Sequence, residues 1–254
     1  MPSETLTGAT GLGAGPSSGC FGKIPGRGDF VRRDLDSDFV TLWDDWLQRA
    51  LAASRTALGG RWLDLYLTSP IWYFVLGRGV VGGEARAGVM VPSVDRVGRC
   101  YPLMVAAHLA PPSATEESES ARGLDSWFSA ATDLILDVVS ADGPAETFFE
   151  GVRALGRPRL RDTSAGFYLS AGDATAPDVL AALATDSRAS VWWSDGSEVV
   201  EPSTLVCPTG LPKPKGFTGF IDGAWTYHGW TSEAKATASP ADVNGDGDAA
   251  GEAS

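Results

Sequence analysis

The chain has 254 residues, 43% of them hydrophobic, and a formal charge of −12. That is enough apolar material for one large domain or two small ones, and the acidic balance argues against sequence-independent nucleic-acid binding, which works by neutralising phosphates. Three widely spaced cysteines, Cys20, Cys100 and Cys207, form no C-x-x-C pair, which argues against a zinc ribbon or a thioredoxin-like site and fits a reducing, cytosolic compartment.

Residues 1–18 are rich in Gly, Ser, Thr and Ala, with no basic start and no apolar stretch. They read as a disordered leader and not as a signal peptide. From Thr231 onward five acids and one base give −4, and residues 231–254 read as a disordered acidic tail. The folded body is then 19–230, with a charge of −7. Its longest apolar runs, such as Ile71–Leu76, are far shorter than the ~20 residues that span a bilayer. Direct membrane insertion is therefore not expected, and a cytoplasmic protein is.

Asp38–Ser54 is the clearest helix. Phe39, Leu42, Trp43, Trp46, Leu47, Ala50 and Leu51 recur at i, i+3, i+4, i+7, and Asp36, Ser37 and Asp38 are cap candidates. Gly59 and Gly60 stop it. Arg61–Thr68 gives a short second helix ended before Pro70. Strands follow at Ile71–Leu76, Ala85–Val91 and Tyr101–His108. Pro111–Glu119 reads as a linker, Leu124–Val139 as a strong helix, and Pro144–Gly156 as another with Phe148, Phe149, Val152 and Leu155 on its apolar face. Phe167–Ser170 reads as a strand, Pro177–Thr185 as a short helix and Ser190–Ser194 as a strand. Pro-rich loops and an aromatic segment close the body at Trp230. The fold class this predicts is α/β of the α+β type: one domain, with a mixed, largely antiparallel central sheet flanked by helices on opposite faces. Nine Trp and ten Phe predict an unusually aromatic core.

The most telling stretch is GVMVPSVDRVGRCYPL (Gly88–Leu103), two apolar runs around a turn that carries Ser93, Asp95, Arg96 and Arg99. It fits two paired strands joined by a charged loop, and loops held by a rigid sheet are where function concentrates. A second charged bend, with Lys23, Arg27, Asp29, Arg32 and Arg33, lies near the start. Arg makes bidentate hydrogen bonds to carboxylates and phosphates; the bland alternative for both bends is a salt-bridged turn. Trp192 and Trp193 must point to opposite faces of their strand, so one enters the core and the other is exposed or covered by a later segment.

Other motifs fail on their spacing. Gly22-Lys23-Ile24 lacks the Gly five residues earlier and the Ser or Thr of a phosphate loop. Asp242–Asp248 resembles half a calcium loop, but its twelfth position is Ala253. The only histidines, His108 and His228, sit in neighbourhoods that suggest neither a triad nor a zinc site. Arg27-Gly28-Asp29 reads as a glycine-bent turn. No cofactor or metal is expected.

Several blocks together carry a family resemblance: CFGKIPGRGDFVRR (Cys20–Arg33), FVTLWDDWLQRAL (Phe39–Leu51), WLDLYLTSPIWYFVL (Trp62–Leu76), GVMVPSVDRVGRCYPL and SVWWSDGS (Ser190–Ser197). In order and spacing the chain resembles the TagF, or ImpM-like, family of accessory proteins of bacterial type VI secretion. The matching positions are Lys23, Pro25, Arg27, Gly28, Asp29 and Phe30; Ser69, Pro70 and Trp72; Pro92, Ser93, Asp95, Arg96 and Pro102; and Trp192 and Trp193. The resemblance implies a cytoplasmic, post-translational negative regulator of type VI secretion that acts through the system's FHA-domain scaffold. The expected partner surface joins Lys23, Arg27, Asp29, Arg32 and Arg33 to Ser93, Asp95, Arg96 and Arg99, with Trp192 or Trp193 beside them. The alternatives are a phosphatase-like hydrolase using Asp29, Asp95 or Ser93, and a ligand-sensing adaptor.

Overall fold

In a computed structural model, residues 17–109, 121–140, 143–159 and 188–231 are described. The strands are β1 (Ser18–Gly22), β2 (Val31–Arg33), β3 (Trp72–Leu76), β4 (Arg86–Val91), β5 (Leu103–His108), β6 (Ala121–Gly123), β7 (Arg157–Arg159), β8 (Ser190–Ser194) and β9 (Ser203–Cys207). Seven of them form one sheet in the order β2-β1-β5-β4-β3-β8-β9, with every neighbouring pair antiparallel. The parallel element is a separate pair, β6 with β7. The helices are α1 (Ser37–Leu58), α2 (Trp62–Leu67), α3 (Leu124–Ser140), α4 (Ala145–Ala154) and a single turn, α5 (Gly219–Asp222).

The two-residue alternation of each strand divides the core into two layers. Phe21, Trp72, Phe74, Met90, Met104 and Trp192 point to one side, where α1, α2 and the closing aromatic segment supply Phe39, Trp43, Leu47, Tyr66 and Phe220. Cys20, Val75, Val89, Val91, Val105 and Trp193 point to the other, under Trp127, Phe128 and Ile135 of α3 and Phe148 and Phe149 of α4. The expectation that the early helix pair and the central helix cover opposite faces is met.

Trp43 is the hub of the first layer, with ring centroids of Trp46 and Phe74 at 5.0 Å and of Trp192 at 6.0 Å. A buried indole N–H is stabilised by an acceptor, and the closing segment supplies one to each of two tryptophans. Trp46 Nε1 donates to Pro212 O at 2.7 Å and Trp72 Nε1 to Phe220 O at 3.1 Å. Gly88 is dictated by this packing, since a Cβ there would lie 2.2 Å from Phe74 Cζ.

α1 begins where its cap predicts, with Asp36 accepting the N–H of Phe39 at 2.8 Å. It continues one turn past Ser54 to bury Leu58 and stops at Gly59, φ 54°. Three corrections follow from the sheet. Ser18, assigned above to the leader, is already in β1. β1, β2 and β9 were not anticipated: β1 and β9 are five residues each and buried almost throughout, so they show no alternation, and β2 has three residues. Neither Trp192 nor Trp193 is exposed. Trp193 is covered by the earlier α3, with Phe128 at 5.1 Å, and stacks on Tyr73 at 5.6 Å. Residues 1–16, the linker at Pro111–Glu119, the strand at Phe167–Ser170, the helix at Pro177–Thr185 and the tail beyond Thr231 lie outside the described residues. Among the described residues no helix is long and apolar enough to cross a membrane.

Candidate functional site

β1 runs out, β4 ends and β5 begins at one end of the sheet, and both charged bends leave from there. Gly22 makes the approach possible. Its φ is 139°, and a Cβ would stand 2.2 Å from the carbonyl oxygen of Pro102, a contact no side chain tolerates. The next residue, Lys23, turns inward and is 6% exposed. Its ammonium meets the carboxylate of Asp95 at 2.7 Å, and that side chain has no exposed surface.

Asp95 is saturated. One oxygen accepts from Lys23 Nζ and from Arg99 Nε at 2.6 Å; the other accepts the backbone N–H groups of Val97 at 3.0 Å and Arg99 at 2.9 Å. Burial alone would raise the carboxyl's pKa, but these donors outweigh it and hold the group well below the usual carboxylate range. The turn closes with Gly98 N–H on Asp95 O at 2.9 Å. Ser93 Oγ donates to Lys23 O at 2.8 Å, and Tyr66 Oη donates to Ser93 O at 2.8 Å. Burial pushes the Tyr66 phenol far up, so it remains a neutral donor.

Two further bonds tie the bends to each other. Arg96 N–H donates to Arg27 O at 3.0 Å, and Arg99 Nη2 donates to Gly28 O. The two segments, 66 or more positions apart in the chain, thus form one rigid platform. Its exposed side chains are Arg27, Asp29, Phe30, Arg96, Val97 and Arg99. Phe30 is 47% exposed although it stacks on Phe21 and meets Tyr101 edge-on at 4.7 Å; Val97 is 66% exposed.

The expected surface is therefore corrected in composition. Lys23, Ser93 and Asp95 are buried supports, and Trp192 and Trp193 belong to the two cores. Arg32 is exposed and donates to Leu35 O, while Arg33 lies over the Phe149 ring of α4 at 4.5 Å. Phe30, Val97 and Glu146, which pairs with Arg27 at 2.9 Å, were missed as site residues. The sequence signal for the first two was an apolar residue directly beside a charged one in each bend, Phe30 after Asp29 and Val97 after Arg96. Of the carboxylates and hydroxyl weighed for hydrolysis, Asp95 and Ser93 face inward with their bonding used internally, and Asp29 is exposed.

The other polar clusters are of a different kind. Arg86, buried over the Phe39 ring, pairs with Asp36, with His108 alongside. His228, buried, bonds Asp222 at 2.8 Å. Among the described residues no group of His, Cys, Asp and Glu could hold a metal ion.

Residues 19–155 match the family described as TagF N-terminal domain, Type VI secretion system-associated. The crystal structure of PA0076 from Pseudomonas aeruginosa PAO1 is similar to this chain at 36% identity and a TM-score of 0.64, over 82% of this chain and 94% of that one. No curated protein matches the chain.

Proposed function

We propose that this chain, which belongs to the TagF family associated with type VI secretion, is a cytoplasmic negative regulator of that system, acting after translation by binding the FHA-domain scaffold through the platform of residues 27–30 and 96–99. One observation carries the docking part of the reading. A buried ion pair and backbone bonds fix the two bends to each other, so that three arginines and two apolar side chains are presented outward in fixed geometry. Preorganised Arg and aromatic groups are what protein interfaces use as anchors.

The reading is non-enzymatic. Asp95 is ionised, enclosed and fully hydrogen-bonded, which suits a strut and not a nucleophile or base. Turnover of p-nitrophenyl phosphate with Mg²⁺ or Mn²⁺, lost in Asp29→Asn or Asp95→Asn, would overturn it.

The docking test is co-purification with the scaffold of a variant carrying Arg27→Glu, Arg96→Glu and Arg99→Glu. Loss of the scaffold by a variant that is still folded and melts cooperatively is the expected result. Retention of the scaffold at wild-type affinity removes this face from the account. The melting control is required because Arg99 also supports Asp95.

A further inference from the structure

We propose that the arginine platform takes an acidic segment of its protein partner, and that Glu146 of α4 occupies the place of one of that segment's carboxylates in the free protein. The inference rests on the docking reading above and adds the chemistry that is read there.

Charge is the first observation. Residues 23–33 and 95–99 hold six bases and two acids, net +4, in a chain of −12, so the remaining residues carry −16. The second is a guanidinium left without a partner. Arg99 Nη2 bonds the carbonyl of Gly28, and Arg96 Nη2 stands 3.8 Å from where a Cβ on Gly28 would be. The one enclosed acid, Asp95, is already saturated by Lys23, Arg99 and two backbone N–H groups. Arg96 has no side-chain hydrogen bond or ion pair among the described residues.

The third observation is that the platform already holds a carboxylate. Arg27 Nη2 meets Glu146 Oε1 at 2.9 Å, with the two side chains 48% and 70% exposed. A pair this exposed is weak and exchanges readily for an incoming carboxylate. Phe30 and Val97 stand beside the arginines and fit a partner's apolar residue. The charge is confined to two short bends, and the carboxylate already held there is a protein side chain, which favours a short acidic segment over a broad anionic lipid or nucleic-acid surface.

The test is selection from a phage-displayed library of random 12-residue peptides on the immobilised full chain, with affinities of the enriched peptides read by fluorescence anisotropy. Enriched peptides should carry at least two Asp or Glu and one apolar residue, and bind more weakly as salt rises. Arg96→Glu should lower their affinity at least tenfold, and Glu146→Gln should raise it about two- to fivefold. Enrichment of neutral or basic peptides, no enrichment, or affinities unmoved by either substitution would overturn the proposal. Because this readout needs no scaffold, failure here with scaffold binding still sensitive to the triple reversal rejects only the acidic-segment chemistry. Acidic peptides that behave as expected beside a scaffold indifferent to that reversal reject only the scaffold as partner.

Discussion

Lys23 and Asp95, 72 positions apart, form a 2.7 Å ion pair closed off from solvent, and each belongs to a different charged bend. Removing one member leaves the other charged and buried, the costly way to break such a pair. Lys23→Met should lower the melting temperature by roughly 6–15 °C. In an Asp95→Leu background the same Lys23→Met change should cost clearly less, because the charge it leaves unpaired is gone, as read by circular dichroism.

The same pair sets an acid-side pH dependence. The Asp95 carboxyl lies well below its ordinary value of 3.8, so its contribution is complete above the unfolded-state pKa and is lost as pH falls from about 5 through the folded-state value. Wild-type melting temperature should fall between pH 5 and pH 2. Asp95→Asn should be less stable at pH 7 and flatter over that interval; parallel curves would contradict the assignment.

Gly88 lies beneath the Phe74 ring, with no room for a methyl group. Gly88→Ala should destabilise by about 1–3 kcal/mol through overpacking, and adding Phe74→Leu should restore part of it in urea unfolding.

Burial lifts the thiols of Cys20 to about 12 and Cys207 to about 11, while Cys100 is only partly buried. At pH 8 a thiol reagent should modify Cys100 first and the other two only on unfolding. Fast modification of two or more thiols in the native protein would contradict the burial of β1 and β9.

What the sequence conveyed follows from pattern length. α1 and α3 run for 22 and 17 residues with a continuous apolar stripe, and β3, β4, β5 and β8 are dense apolar runs. β1 reads as loop because Gly19 and Gly22 make room for neighbouring backbone: a Cβ on Gly19 would meet Arg33 O at 2.4 Å. At the site, the pairing of two Arg- and Asp-bearing bends was legible, but the direction of each side chain was not. Lys23 sits in a Gly-Lys-Ile-Pro stretch that resembles an exposed turn, and only a buried carboxylate from another strand end turns it inward. Trp193 shows the same limit, since alternation fixes its face but not that α3 covers it.

The central claim is that the two bends act as one docking face. Hydrogen–deuterium exchange of the chain alone and bound to the FHA-domain scaffold tests it most directly. The account predicts simultaneous protection of 24–30 and 95–99 on binding, with little change at the opposite end of the sheet around Arg86 and His108. Protection of one bend without the other, or protection confined to a different surface, would contradict it.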